Sequence, residues 1–163
     1  MPKKLITVLM LLFTLVAIQF VRPSQTNPQA DPRVHVSATL SVPPNVAGVF
    51  SRSCNDCHSN ETVWPWYSKV APVSWLVSYD VASGRKELNL SEWGSRNPAK
   101  DREMLNEICK EVTEGEMPGW VYTLMHSEAK LAKSDVAAIC DWTRTVSART
   151  AGQNESTSSA SGQ

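Results

Sequence analysis

Cys54-Asn55-Asp56-Cys57-His58 sets two thiols three positions apart, with an imidazole on the very next residue. On one helical turn, thiols at that spacing can each add to one vinyl group of a porphyrin. The following histidine then stands beneath the iron and offers a nitrogen ligand. C-x-x-C-H is for this reason the attachment signature of a covalent haem c. Two other chemistries use a C-x-x-C pair: a redox dithiol, which expects a strand before it in a βαβ context, and a zinc site, which needs a second ligand pair at close spacing. No strand-like stretch precedes this motif, and Cys109 and Cys140 stand singly.

Haem iron takes a second axial group from the opposite side. Met117, in Gly115-Glu116-Met117-Pro118, is the first choice. The order of C-x-x-C-H, helices, Met-Pro loop and closing helix is similar to that of class I cytochromes c, in which such a methionine binds iron. A thioether favours reduced iron and raises the potential relative to a second imidazole. An isolated methionine is otherwise core filler. His126 is the alternative and would give a bis-histidine haem; Met125 ranks below it, and His35 falls in a Pro-rich linker. Trp64, Trp66, Tyr67 and Trp75 follow His58 closely. They are read first as core, while buried indole N–H and phenol O–H groups need acceptors. Trp66, Tyr67 and Arg85 are accordingly the candidates to meet haem propionates. The carbonyl of Pro65 or of Pro72 is expected to hold the ring N–H of His58.

These residues need helices to position them. Asn45 is expected to cap a helix over Val46–Arg52 that runs into the motif. Pro72 suits the first turn of a second helix that stops at Gly84, with Trp75, Leu76, Tyr79 and Ala82 on its inner face. A third runs from about Pro98 to Glu114, burying Met104, Leu105, Ile108, Cys109 and Val112 and ending at Gly115. Ser134 caps a last helix through Ser147, whose inner face is Val136, Ile139, Cys140, Thr143 and Val146. Nothing of useful length alternates as a strand does, so the fold is all-α. In an oxidising compartment Cys109 and Cys140 would form a disulfide between the last two helices; two separate buried thiols are the alternative.

The chain of 163 residues suffices for one domain and its tails. Lys3 and Lys4 precede an apolar run from Leu5 to Val21, broken only by Thr7, Thr14 and Gln19. That pattern marks a signal peptide or an uncleaved anchor, and the absence of a small-x-small cleavage site favours the anchor over residues 1–22. With the two lysines retained inside, the rest lies across the membrane. Residues 23–45 read as a Pro-rich linker. Residues 46–148 form the folded domain, and 149–163 a small, polar tail expected to be disordered. The domain carries 11 Lys/Arg against 14 Asp/Glu, a net charge of −3, without the basic stripe a nucleic-acid binder needs. All six tryptophans fall between positions 64 and 142, so that stretch uses large flat apolar groups.

From Cys54 to about Trp142 the chain resembles the bacterial haem-binding domain family, a cytochrome c-like group. The resemblance rests on CNDCHSNETVWPWYSKVAPVSW, GRKELNLSEW, EICKEVTEGEMPGW and MHSEAKLAKSDVAAICDWT, of which PWY, APVSW and GEMP are the most specific. It implies a small monohaem domain, similar to class I cytochromes c, usually tethered behind an N-terminal hydrophobic segment. The expectation is a membrane-tethered electron carrier in the bacterial envelope, held at the inner membrane and facing the periplasm, with a redox protein as partner. The alternatives are a haem-based sensor or peroxidase-like enzyme with an opening sixth position, and a structural haem module of an envelope complex. No distal His–Arg pair marks an enzyme, so a carrier or binding module is favoured.

Overall fold

The computed structural model describes residues 2–97 and 100–160, with side chains as far as Thr150. Among these residues every regular element is helical. The α-helices are α1 (Lys3–Ile18), α2 (Val36–Thr39), α3 (Pro44–Ser53), α4 (Asn55–His58), α5 (Val73–Glu87), α6 (Asp101–Glu114), α7 (Trp120–Met125) and α8 (Lys133–Ala160). Short 3-10 turns at Trp66–Lys69, Leu90–Ser95 and Ser127–Ala129 join them.

The core forms where α6 and α8 pack together and α3 lies across α8. Leu105, Ile108 and Val112 of α6 are buried against Ile139, Cys140 and Val146 of α8, the apolar faces expected from a helical period. Phe50 of α3 meets Trp142 edge to face at 5.4 Å between ring centroids, and the Trp142 indole donates to the carbonyl of Ser41 at 3.0 Å. Leu90 and Trp93 close the core from the 3-10 turn. A disulfide between Cys109 and Cys140 joins α6 to α8, with 4.8 Å between Cα atoms.

Helix ends explain several departures from the sequence reading. α3 starts at Pro44, a residue whose fixed φ suits the first turn, so Pro43 rather than Asn45 sits at the N-cap. α6 starts at Asp101; the expected start at Pro98 lies outside the described residues. It ends as expected, on Gly115 in the left-handed region at φ 76°, with the N–H groups of Glu116 and Met117 both returning to the Glu111 carbonyl. Ser134 does not cap α8. Asp135 instead reaches back to accept the Ala132 N–H at 2.8 Å, one half of a capping box, and also holds Arg52 of α3 at 2.6 Å. α8 continues past Ser147 to Ala160, since neither proline nor a glycine stop follows directly.

α5 differs most. It does not stop at Gly84 but runs on to Glu87. Its expected inner face of Trp75, Leu76, Tyr79 and Ala82 is exposed, and Ser74 and Val81 are the buried positions. The reason is close packing. A Cβ on Gly84 would stand 2.5 Å from the Cys57 carbonyl oxygen, so this glycine admits α4 against α5. Trp75 and Tyr79 face outward, whereas Val73, Leu76 and Val77 line an apolar cavity beside Cys57.

The segment from 23 to 45 is largely extended, yet it is strapped to the domain. Asn27 donates to the Thr62 carbonyl at 2.9 Å, Gly94 donates to the Val34 carbonyl at 2.7 Å, and Val36 is 1% exposed in the core. His35 caps α2, its Nδ1 accepting from the Ser37 N–H at 3.2 Å. Among the described residues no helix is long and apolar enough to cross a membrane; α1 has sixteen residues, and Gln19 to Val21 of the apolar run lie beyond its end.

Candidate haem-binding site

The C-x-x-C-H residues share one tight turn. Cys54 ends α3 and begins α4, and its carbonyl accepts the N–H groups of Cys57 at 3.2 Å and His58 at 2.9 Å. Both cysteines are free thiols. Burial pushes the Cys54 thiol up to about 12, and burial aided by the Asp56 charge pushes Cys57 up to about 11. Neutral thiols in apolar surroundings are the opposite of the low-pKa thiolate that a redox dithiol uses.

The His58 ring is fixed from one side. Its Nδ1 lies 3.0 Å from the carbonyl of Gly84 and 3.1 Å from that of Leu88, at the end of α5. Both partners can only accept, so Nδ1 carries the proton and Nε2 keeps the lone pair that can bind a metal. This corrects the expectation of a proline carbonyl. The Pro65 carbonyl is taken by the Ser68 N–H at 3.1 Å and hydroxyl at 2.7 Å, and that of Pro72 by the Trp75 N–H at 3.0 Å.

Two apolar cavities flank the turn. Cys54, His58 and Met117 line one of about 370 Å³ with Phe50, Met104 and Ile108. Cys57 lines the other, of about 190 Å³, together with Tyr67, Leu76, Tyr122, Met125 and His126. The structure thus unites Cys54, His58 and Met117, and it sets His126 on the far side beside Cys57. His126 is also engaged: Nε2 meets the Tyr67 hydroxyl at 2.6 Å, Nδ1 faces Glu128 at 3.3 Å, and the ring stacks on Tyr122 at 4.4 Å. Tyr67 has its phenol pushed up, chiefly by burial.

Trp66 is 75% exposed and lines neither cavity. Arg85 lines neither as well, since its guanidinium is a clamp within the protein. Nε donates to the Ser59 carbonyl at 2.8 Å, Nη1 to Thr26 at 3.0 Å, and Nη2 to Asn27 and Thr62, each at 2.8 Å. It holds the strap and the loop after His58 in place.

Other positioning residues carry no signal in the motif alphabet. Asp56, between the cysteines, accepts the Val63 N–H at 2.9 Å and the Tyr122 hydroxyl at 2.8 Å, tying the turn to α7. Tyr122 is held well above the ordinary phenol range by burial and by that carboxylate. Behind His58, the buried Asn60 accepts from the Asn89 amide at 2.8 Å and its backbone N–H donates to Ser91 at 3.0 Å. Only the position of Asp56 inside the motif could have drawn attention to any of these.

The donor set fits an iron porphyrin: Cys54, the imidazole of His58 with its Nε2 lone pair and the Met117 thioether share one apolar cavity, and Cys57 of the same turn lines the neighbouring one. The cavity volume is in the range of small-molecule and cofactor sites. No curated protein and no solved structure matches the chain. The family described as haem-binding domain matches residues 13–145, most of the sequence, with the C-x-x-C-H turn, the fixed imidazole and Met117 all inside the matched span. The chain belongs to this haem-binding domain family.

Proposed function

We propose that this protein is a tethered c-type cytochrome domain that binds one haem covalently and carries electrons. The observation that supports it most is the shared cavity: Cys54, His58 and Met117 face one apolar space, and His58 presents its free nitrogen from a ring fixed by two backbone carbonyls. Cys54 and Cys57 would form the two thioethers, His58 would be the proximal ligand and Met117 the sixth. When bound, the haem supplies a one-electron iron couple tuned by its axial ligands and burial.

The chain's part is to hold and shield. The Gly84 and Leu88 carbonyls fix the tautomer and orientation of the His58 ring. The Gly115 stop turns the chain out of α6 so that Met117 reaches the cavity. Met117 ranks above His126 as sixth ligand because His126 lines the other cavity and is bound to Tyr67 and Glu128. Export is supported by the Lys-flanked apolar helix and by the Cys109–Cys140 disulfide, which suits an oxidising compartment. On this reading α1 holds the protein at the inner membrane, the domain faces the periplasm and a redox protein of the envelope is its partner.

The test is a spectroelectrochemical titration of full-length protein matured with the c-type attachment machinery. Reversible one-electron reduction with a low-spin spectrum in both states is expected. A high-spin spectrum that shifts on adding cyanide or carbon monoxide would instead favour a sensor or enzyme.

A further inference from the structure

α1 leaves the domain from a fixed place. Gln19, the first residue past the helix, clamps Ala71 in both directions: its amide donates to the Ala71 carbonyl at 3.1 Å and its oxygen accepts the Ala71 N–H at 2.9 Å. The Trp75 indole donates to the Val21 carbonyl at 2.8 Å, and the Gln25 amide reaches the Ser68 carbonyl. The apolar helix is therefore held beside the segment from Ser68 to Trp75.

The surface around that exit is apolar and aromatic. Phe20 is 83% exposed, Val21 62%, Val70 45%, Trp75 37% and Tyr79 69%. Trp75 and Tyr79 lie one turn apart on the same face of α5. Neither they nor Val70 line the cavities beside the attachment turn, so cofactor binding does not account for their exposure. Arg22 and Lys69 border the groove under Gln19, and among the described residues no carboxylate lines it.

The length of α1 bears on what covers this face. Sixteen residues reach roughly 24 Å at about 1.5 Å each, short of a hydrocarbon core of about 30 Å. An apolar element shorter than the bilayer draws its flanking residues toward the headgroups. Tryptophan and tyrosine favour that level, and arginine and lysine favour anionic lipid there.

We propose that the face of Phe20, Val21, Val70, Trp75 and Tyr79, rimmed by Arg22 and Lys69, rests on the lipid surface and seats the domain directly on the bilayer that holds α1. This rests on the tethering reading above. The test uses the matured full chain in vesicles of phosphatidylethanolamine and phosphatidylglycerol containing a diazirine phospholipid, with crosslinks mapped by peptide mass spectrometry. Crosslinks in α1 and in residues 69–79 are expected. The exposed-site variant Val70→Asp/Tyr79→Asp should lose those in 69–79 severalfold and keep those in α1. Crosslinks confined to α1 in the unmodified chain, or undiminished in the variant, would overturn the seated face and leave the tether standing. No crosslinks in either segment would overturn the tether itself.

Discussion

Gly84 and Cys57 meet backbone to backbone: a methyl group on residue 84 would stand 2.5 Å from the Cys57 carbonyl oxygen. In an exposed helix interior, glycine to alanine stabilises by about 1 kcal/mol. Here the clash is with backbone and cannot be relieved by a side-chain rotation. Gly84→Ala should therefore lower stability by roughly 1–3 kcal/mol, the cost of overpacking, read as a lower urea midpoint. A raised midpoint would contradict the contact.

That contact also shows what the sequence could tell. C-x-x-C-H, the Gly115 stop and the apolar faces of α6 and α8 were legible because each follows from local spacing or a period. A glycine near a helix end most often serves as a stop, and that use hides what Gly84 does here. Its role depends on α4, some thirty residues away, and no local pattern records it. The expected inner face of α5 splits in the structure: Leu76 lines the cavity beside Cys57, while Trp75 and Tyr79 face outward, a division that helical period alone does not record. Arg85, expected at a propionate because it lies near the aromatic segment, places its hydrogen bonds on the strap and loop instead.

Serine at both Cys109 and Cys140 should destabilise the domain by about 2–4 kcal/mol, the loop-closure value for a bridge across 31 residues. Thermal unfolding measured with and without reductant checks it. Reductant should lower the midpoint of the unmodified protein and leave that of the variant unmoved.

Met117→Ala should abolish the weak far-red sulfur-to-iron band of the oxidised protein, and His126→Ala should leave it in place. The cavity partition requires this asymmetry, since Met117 shares the His58 cavity and His126 does not. Loss of low-spin character in His126→Ala alone would establish bis-histidine ligation.

Asp135 is held below its ordinary value of 3.8, first by the Ala132 N–H and then by the Arg52 guanidinium. A depressed carboxylate contributes stability above its unfolded value and loses it as pH falls through the folded one. Acidification below that ordinary value should thus weaken the unmodified protein more than Asp135→Asn. The pair is partly exposed, so the difference should be under about 1 kcal/mol. Urea midpoints near neutrality and at about pH 3 decide it, and equal losses in the two proteins would remove Asp135 from the acid response.

The most direct measurement is extraction with acidified organic solvent after maturation, followed by intact-mass analysis. The unmodified chain should keep its pigment and carry the mass of one haem, and Cys54→Ser/Cys57→Ser should release all of it. A colourless matured chain, or pigment extracted freely from the unmodified protein, would contradict covalent attachment at the C-x-x-C-H turn.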